Sequence, residues 1–204
     1  MVAHPHDQIS DLQRRQMTTV TSKRVKTVVF HGGGDDLDQP LKDIRKDEAM
    51  QATHPTCGIN SYNFGRVLAQ TVHYFWSYFQ ITDSNEEYIT FGLPIGAMGN
   101  IAAGYLARLL GLRIEKFVGS VNINDITHRA FDKGQFHIEK EMKKNLSEAI
   151  NIQAPYNFER LLYWASDENW QLVKALYNEF ENTGKMDIPS SLLKKLQDLC
   201  RTYR

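Results

Sequence analysis

At 204 residues, with 42% hydrophobic and 24% charged side chains, the chain has an ordinary globular composition and enough length for one large domain or two small ones. Lys+Arg and Asp+Glu both number 24, so the formal net charge is zero and no excess of positive charge is present to grip nucleic acid. The opening residues MVAHPHDQISDLQRRQ lack the apolar stretch of a signal peptide, and apolar runs elsewhere are too short or too polar to span a bilayer; the expectation is a cytoplasmic protein without membrane contact.

In chain order, Val25 to Phe30 reads as a short strand running into Gly32, Gly33 and Gly34, followed by a helix begun by Asp35 or Asp36. Three adjacent glycines lack GxGxxG spacing, so a structural turn is expected there. Cys57 and Cys200 are far apart with no CxxC or Cys/His spacing, so both read as free thiols and no metal site is expected. From Asn63 to Gln80, the residues Phe64, Val67, Leu68, Val72, Phe75, Trp76 and Phe79 recur at steps of three and four, which predicts a helix with that face in the core. Tyr88 to Leu93 then reads as a strand, 94–98 as a turn, Gly99 to Leu110 as a helix closed by Gly111, and Ile114 to Val121 as a second, parallel strand. Further helices are expected at 124–132, from about Asn157, at 167–182 and from about Pro189 to Arg201, with ENTGKMDIPS (181–190) as a turn or linker.

The turn between the two predicted strands carries the clearest chemical signal. In LPIGAMGNIAAGYLARLLG (93–111), an apolar lead-in, a small-residue turn and a helix start occur in the order that lets free N–H groups and a helix dipole hold an anion. Phosphate binding and a plain tight turn both remain open on the motif alone. No Lys stands at the P-loop position and no Ser/Thr is placed for magnesium, which excludes nucleoside triphosphate hydrolysis. Asn60, Ser61 and Asn63 before the aromatic helix, and Asn122, Asn124 and Asp125 in SVNINDITHR, are explained by helix capping, although both clusters fall beside the sheet edge that carries the GAMGN turn. His128 and Arg129 read as solvated or paired.

Five segments in order resemble threonine synthase, in its animal threonine synthase-like branch: HDQISDLQRRQMTTV (6–20), GINSYNFGRVLAQTVHYFWSYFQ (58–80), LPIGAMGNIAAGYLARLLGLRI (93–114), VNINDITHRAFDKGQF (121–136) and INIQAPYNFERLLY (150–163). The resemblance implies an α/β chain that is part of a fold-type II pyridoxal-phosphate enzyme of the tryptophan synthase β-like kind, with a parallel sheet flanked by helices. It implies a phospho-lyase acting on O-phosphorylated hydroxy amino acids such as O-phosphothreonine and O-phosphohomoserine. By carry-over, Gly96, Ala97, Met98, Gly99 and Asn100 hold the phosphate of pyridoxal 5'-phosphate, and Asn60, Ser61, Asn63, Asn124 and Asp125 take the family's polar positions near the substrate. Residues 1–56 are expected to be a remnant of the smaller α/β domain and 57–204 part of the large cofactor-binding domain.

Two departures accompany the resemblance. Ile95 stands where the family's loop has Ser or Thr. The Schiff-base lysine of such enzymes lies in a Ser-Phe-Lys-Asp-like motif that this sequence lacks; Lys23, Lys26, Lys42 and Lys46 sit in other surroundings. The expectation is therefore an internal fragment or short isoform, inactive alone and without a catalytic residue of its own. Two alternatives stay open: a non-catalytic interaction or signalling protein, secreted without a signal peptide, and a binding module for a small phosphate. The partners expected are a small phosphorylated amino acid and a protein partner or second copy, not nucleic acid or membrane.

Overall fold

The structure, a computed structural model, describes residues 2–6, 9–32, 34–56, 58, 63–147 and 151–204. It divides into two units, Met1–Cys57 with Lys144–Glu148, and Gly58–Lys143 with Ala149–Arg204.

In the first unit, strands β1 (Val2–Pro5) and β2 (Thr27–Phe30) pair in parallel. Helix α1 (Asp11–Thr18) lies between them in sequence and is started by Ser10, whose hydroxyl accepts from the Gln13 N–H. A 3-10 turn (Gly34–Leu37) leads into α2 (Asp38–Lys46), and Asp47 caps α3 (Glu48–Thr53) by accepting from the Met50 N–H. The strand thus starts two residues later than its apolar pattern suggests, and the α-helix begins after a 3-10 turn rather than at Asp35 or Asp36. Neither β1 nor the two shorter helices was signalled by periodicity.

The second unit begins with α4 (Phe64–Ile81). It is followed by β3 (Ile89–Pro94), α5 (Gly99–Leu109), β4 (Ile114–Ser120), α6 (Ile126–Lys133) and β5 (Gln135–His137). The chain then forms α7 (Phe158–Ala165), α8 (Trp170–Thr183), β6 (Lys185–Asp187), α9 (Ser190–Leu199) and β7 (Cys200–Tyr203). Strands β3, β4 and β7 form a parallel sheet in that order, with Leu93 opposite Gly119 and Ser120 opposite Tyr203. The last helix therefore ends at Leu199, and the residues after it make a strand. The segment 181–190 is no linker: Gly184 closes α8 in the left-handed conformation, and β6 pairs antiparallel with β5 through Phe136 and Met186.

Of the α4 face expected in the core, Val67 and the partly buried Phe75 do meet it, and the rest is a correction. The helix buries Val67, Thr71, Tyr74 and Tyr78, whereas Phe64, Leu68, Val72, Trp76 and Phe79 are exposed, Trp76 by 67%. Both stripes follow steps of three and four, so periodicity cannot choose between them. Packing chooses the tyrosines because each hydroxyl finds a carbonyl: Tyr74 donates to Asn100 O (2.7 Å) and Tyr78 to Glu87 O (2.8 Å). Tyr74 also meets Phe91 and Phe117 edge-on, at 4.9 and 6.1 Å between ring centroids. Gly104 of α5 permits this, since a Cβ there would lie 2.6 Å from the Phe117 ring and 2.7 Å from the Tyr74 ring. A second aromatic cluster joins Phe131, Phe136, Phe158 and Phe180 from α6, β5, α7 and α8. Among the described residues, no helix is long and apolar enough to cross a membrane.

Candidate functional site

The carboxyl ends of β3, β4 and β7 lie side by side, tied by Ile95 N–H donating to Ser120 O and Val121 N–H donating to Tyr203 O, both at 2.8 Å. The chain leaves β3 at Pro94 and enters α5 at Gly99, so the turn expected at 94–98 sits at this edge. Ile95 is buried against β4, where any side chain at Gly119 would collide with it. Its side chain contributes packing and no hydrogen-bond donor.

The turn's left-handed residue is Met98 (φ 64°, ψ 13°), not a glycine. This conformation is uncommon for a residue with a side chain. Burial of the Met98 side chain to 1% exposure and the Ala102 N–H donating to Met98 O (3.0 Å) hold it there. Asn100 closes the turn from inside: its Nδ2 donates to Pro94 O (2.7 Å) and its Oδ1 accepts from the Ile101 N–H (2.9 Å). Among the described residues, no backbone N–H from Gly96 to Asn100 donates to a protein acceptor. These donors stand at the positive end of the eleven-residue α5, which is the arrangement that receives an anion.

Asn157, on which the sequence pattern showed only a helix start, reaches this turn across 60 positions: its backbone N–H (3.2 Å) and its Nδ2 (2.9 Å) both donate to Ala97 O. Its Oδ1 accepts from Arg160, whose guanidinium also lies 6.0 Å from the centre of the Phe64 ring at the start of α4. Burial lowers the Arg160 pKa, opposed by the charge of Glu159. No local signal marks Asn157, because its partner is a backbone carbonyl on another element.

The remaining expected site residues separate. Asn60 and Ser61 lie outside the described residues, as does Cys57. Asn63 caps α4, accepting from Gly65 N–H (2.8 Å) and donating to Gly58 O. Asn124 does not cap α6: its Nδ2 donates to Lys143 O (2.8 Å) and Asn151 Oδ1 (3.0 Å), and its Oδ1 accepts from Lys143 N–H (2.7 Å). Asp125, 5% exposed, occupies the cap position of α6 with its side chain accepting no backbone N–H of that helix; the carboxylate pairs instead with Arg129 (2.9 Å) and Arg204 (2.6 Å). Burial pushes its pKa up, but the two guanidinium groups outweigh that and hold the carboxyl below the ordinary aspartate value. His128 and Arg129 are paired as expected: His128 Nδ1 hydrogen-bonds Thr202 Oγ1 (2.9 Å), and Arg129 donates to Asp125 and to His137 O. Among the described residues, no group of three or more His, Cys, Asp or Glu could hold a metal ion.

Comparison with known proteins places this geometry. No family model matches the chain. Threonine synthase-like 2 of Homo sapiens is 38% identical over 202 residues, covering 97% of this chain and 42% of the relative. Threonine synthase of Eremothecium gossypii is 33% identical over 205 residues, covering 96% of this chain and 40% of the relative. Among solved structures, PLP-bound threonine synthase from Brucella melitensis superposes with a TM-score of 0.84 at 28% identity, over 99% of this chain and 43% of that one. Threonine synthase from yeast superposes with a TM-score of 0.81 at 32% identity, over 99% and 41% of the two chains. The fold is part of the α/β architecture of fold-type II pyridoxal-phosphate enzymes, with a parallel sheet flanked by helices. Within that class, the chain is similar in both sequence and fold to threonine synthases and threonine synthase-like 2, and it spans about two fifths of those relatives' length.

Proposed function

We propose that the chain is the phosphate-holding part of a threonine synthase-like, pyridoxal-phosphate-dependent phospho-lyase whose substrates are O-phosphorylated hydroxy amino acids such as O-phosphothreonine and O-phosphohomoserine. The observation that carries this reading is the run of backbone N–H groups, Gly96 to Asn100, that have no protein acceptor among the described residues at the start of α5. When bound, pyridoxal phosphate supplies the electron sink that such an elimination needs. Gly96, Ala97, Met98, Gly99 and Asn100 would hold its phosphate through main-chain donors, with the α5 dipole favouring the charge. Asn63, Asn124 and Asp125 support the segments around that edge through the bonds given above. The second unit is on this reading cofactor-binding, the first a part of the smaller domain, and the protein cytoplasmic.

Turnover requires a base at the reacting carbon and a lysine to bond the cofactor, and the sequence holds no Ser-Phe-Lys-Asp-like motif. The 204-residue chain is therefore expected to hold the cofactor phosphate reversibly, without releasing phosphate from either amino acid. The exposed stripe of α4 supports a protein partner or second copy in addition. The test is titration with pyridoxal phosphate, followed by borohydride reduction, lysine mapping and a phosphate-release assay. Saturable binding that Gly99→Asp abolishes supports the reading. Equal affinity in both proteins would leave the turn a structural role, and one stoichiometrically labelled lysine with saturable turnover would overturn the expected inactivity.

A further inference from the structure

We propose that Asn157 is a positioning residue that sets the peptide between Ala97 and Met98, and so aims the Met98 N–H into the turn; for a bound phosphate this rests on the function proposed above. Asn157 occupies the cap position of α7, where an Asn side chain ordinarily accepts from a backbone N–H of its own helix, yet it makes no such bond. It is completely buried, and burying an amide without partners is costly. Its partners are instead Ala97 O, reached by both the backbone N–H and Nδ2, and Arg160.

The orientation of the amide is determined by these neighbours. A guanidinium can only donate and a carbonyl can only accept, so Oδ1 must face Arg160 and Nδ2 must face Ala97. In a planar trans peptide the C=O and the following N–H point in opposite directions. Drawing Ala97 O toward Asn157 therefore turns the Met98 N–H away from Asn157. That peptide is held at its other end by the left-handed Met98, whose buried side chain and hydrogen-bonded carbonyl leave it little freedom. Asn157 thus supplies from a distant element the constraint that the turn's own residues do not.

The test compares the 204-residue chain with Asn157→Asp and Arg160→Leu. The Asp variant keeps an acceptor for Arg160 but replaces the Nδ2 donor with an oxygen facing Ala97 O. The Leu variant removes the group that fixes the amide. Hydrogen exchange resolved by residue is the first readout. The amides of residues 157 and 102, which donate to Ala97 O and Met98 O, should exchange about tenfold faster or more in the Asp variant, from the loss of a buried hydrogen bond, with a smaller rise in the Leu variant and no change in α8. Titration with pyridoxal phosphate, and with pyridoxal as the phosphate-free control, is the second. Affinity for pyridoxal phosphate should fall about tenfold or more in the Asp variant, and affinity for pyridoxal should not change. Unchanged exchange at residues 102 and 157 in both variants overturns the proposal, as does a rise spread evenly over the second unit in both. If the unaltered chain binds no pyridoxal phosphate, the cofactor reading fails, and faster exchange confined to residues 102 and 157 still upholds the positioning role.

Discussion

Replacing Gly104 with alanine should destabilise the protein, although glycine inside a helix is ordinarily a weak point whose replacement gains about 1 kcal/mol. Gly104 lies in the middle of α5, where an added Cβ would meet Phe117 Cε1 at 2.6 Å, Tyr74 Cε1 at 2.7 Å and Phe117 Cζ at 2.8 Å. Carbon atoms rest at roughly 3.5–4.0 Å, so both rings would have to retreat by close to 1 Å. Neither can do so easily: Phe117 is fully buried in the central strand, and Tyr74 is tethered through its hydroxyl to Asn100 O. Overpacking of this kind costs about 1–3 kcal/mol, and two constrained rings put Gly104→Ala in the upper part of that range. Less the propensity gain, the net loss is about 1–2 kcal/mol, equivalent to a fall of roughly 2–8 °C in melting temperature for a chain of this size. Urea unfolding followed by tryptophan fluorescence and circular dichroism would measure it. Gly104→Ala combined with Phe117→Leu should lose less than the sum of the single changes, because the second makes room for the first. A stabilised Gly104→Ala protein, or strict additivity in the double variant, would refute the packing argument.

The two faces of α4 should respond differently: Val67→Ala should cost about 2 kcal/mol in urea unfolding and Leu68→Ala under about 0.5 kcal/mol, since Val67 is buried and Leu68 half exposed. Equal losses would contradict the observed orientation of the helix. The Asp125 carboxyl is held below its ordinary value when folded, so its contribution is present above the unfolded pKa and is lost as pH falls through the folded one. Asp125→Asn should therefore cost on the order of 1–3 kcal/mol at pH 7, with the gap to the unaltered protein narrowing below about pH 4; a gap independent of pH would argue against the paired carboxylate. Burial pushes the Cys200 thiol up to about 12, so in a Cys57→Ser background a thiol reagent at neutral pH should label Cys200 only once urea unfolds the protein. Rapid stoichiometric labelling of the folded protein would contradict that burial.

Local chemistry made much of the second unit legible in the sequence. The apolar run to Pro94, the small residues of GAMGN and the Ala/Leu pattern after Gly99 locate β3, the turn and α5 because strand, turn and helix propensities change there within a few residues. Parallel pairing of β3 with β4 followed from the helix between them. What depended on distant partners was not legible. The α4 pattern contains two apolar stripes of helical spacing, and only the carbonyls of Asn100 and Glu87 select the tyrosine face. SVNINDITHR looks like a capping sequence, but Asn124 meets Lys143 and Asn151, and Asp125 meets Arg129 and Arg204. The short strands β6 and β7 arise where pairing with β5 and β4 supplies ladder hydrogen bonds that three or four residues cannot signal by pattern. Asn157 is the clearest case: the sequence marks it as the start of a helix, and only the folding of α7 against the turn after β3 brings its amide to Ala97. A side chain's burial and hydrogen-bond partners belong to the packed arrangement of elements, whereas the elements themselves arise from periods of two and 3.6 residues that the sequence carries locally.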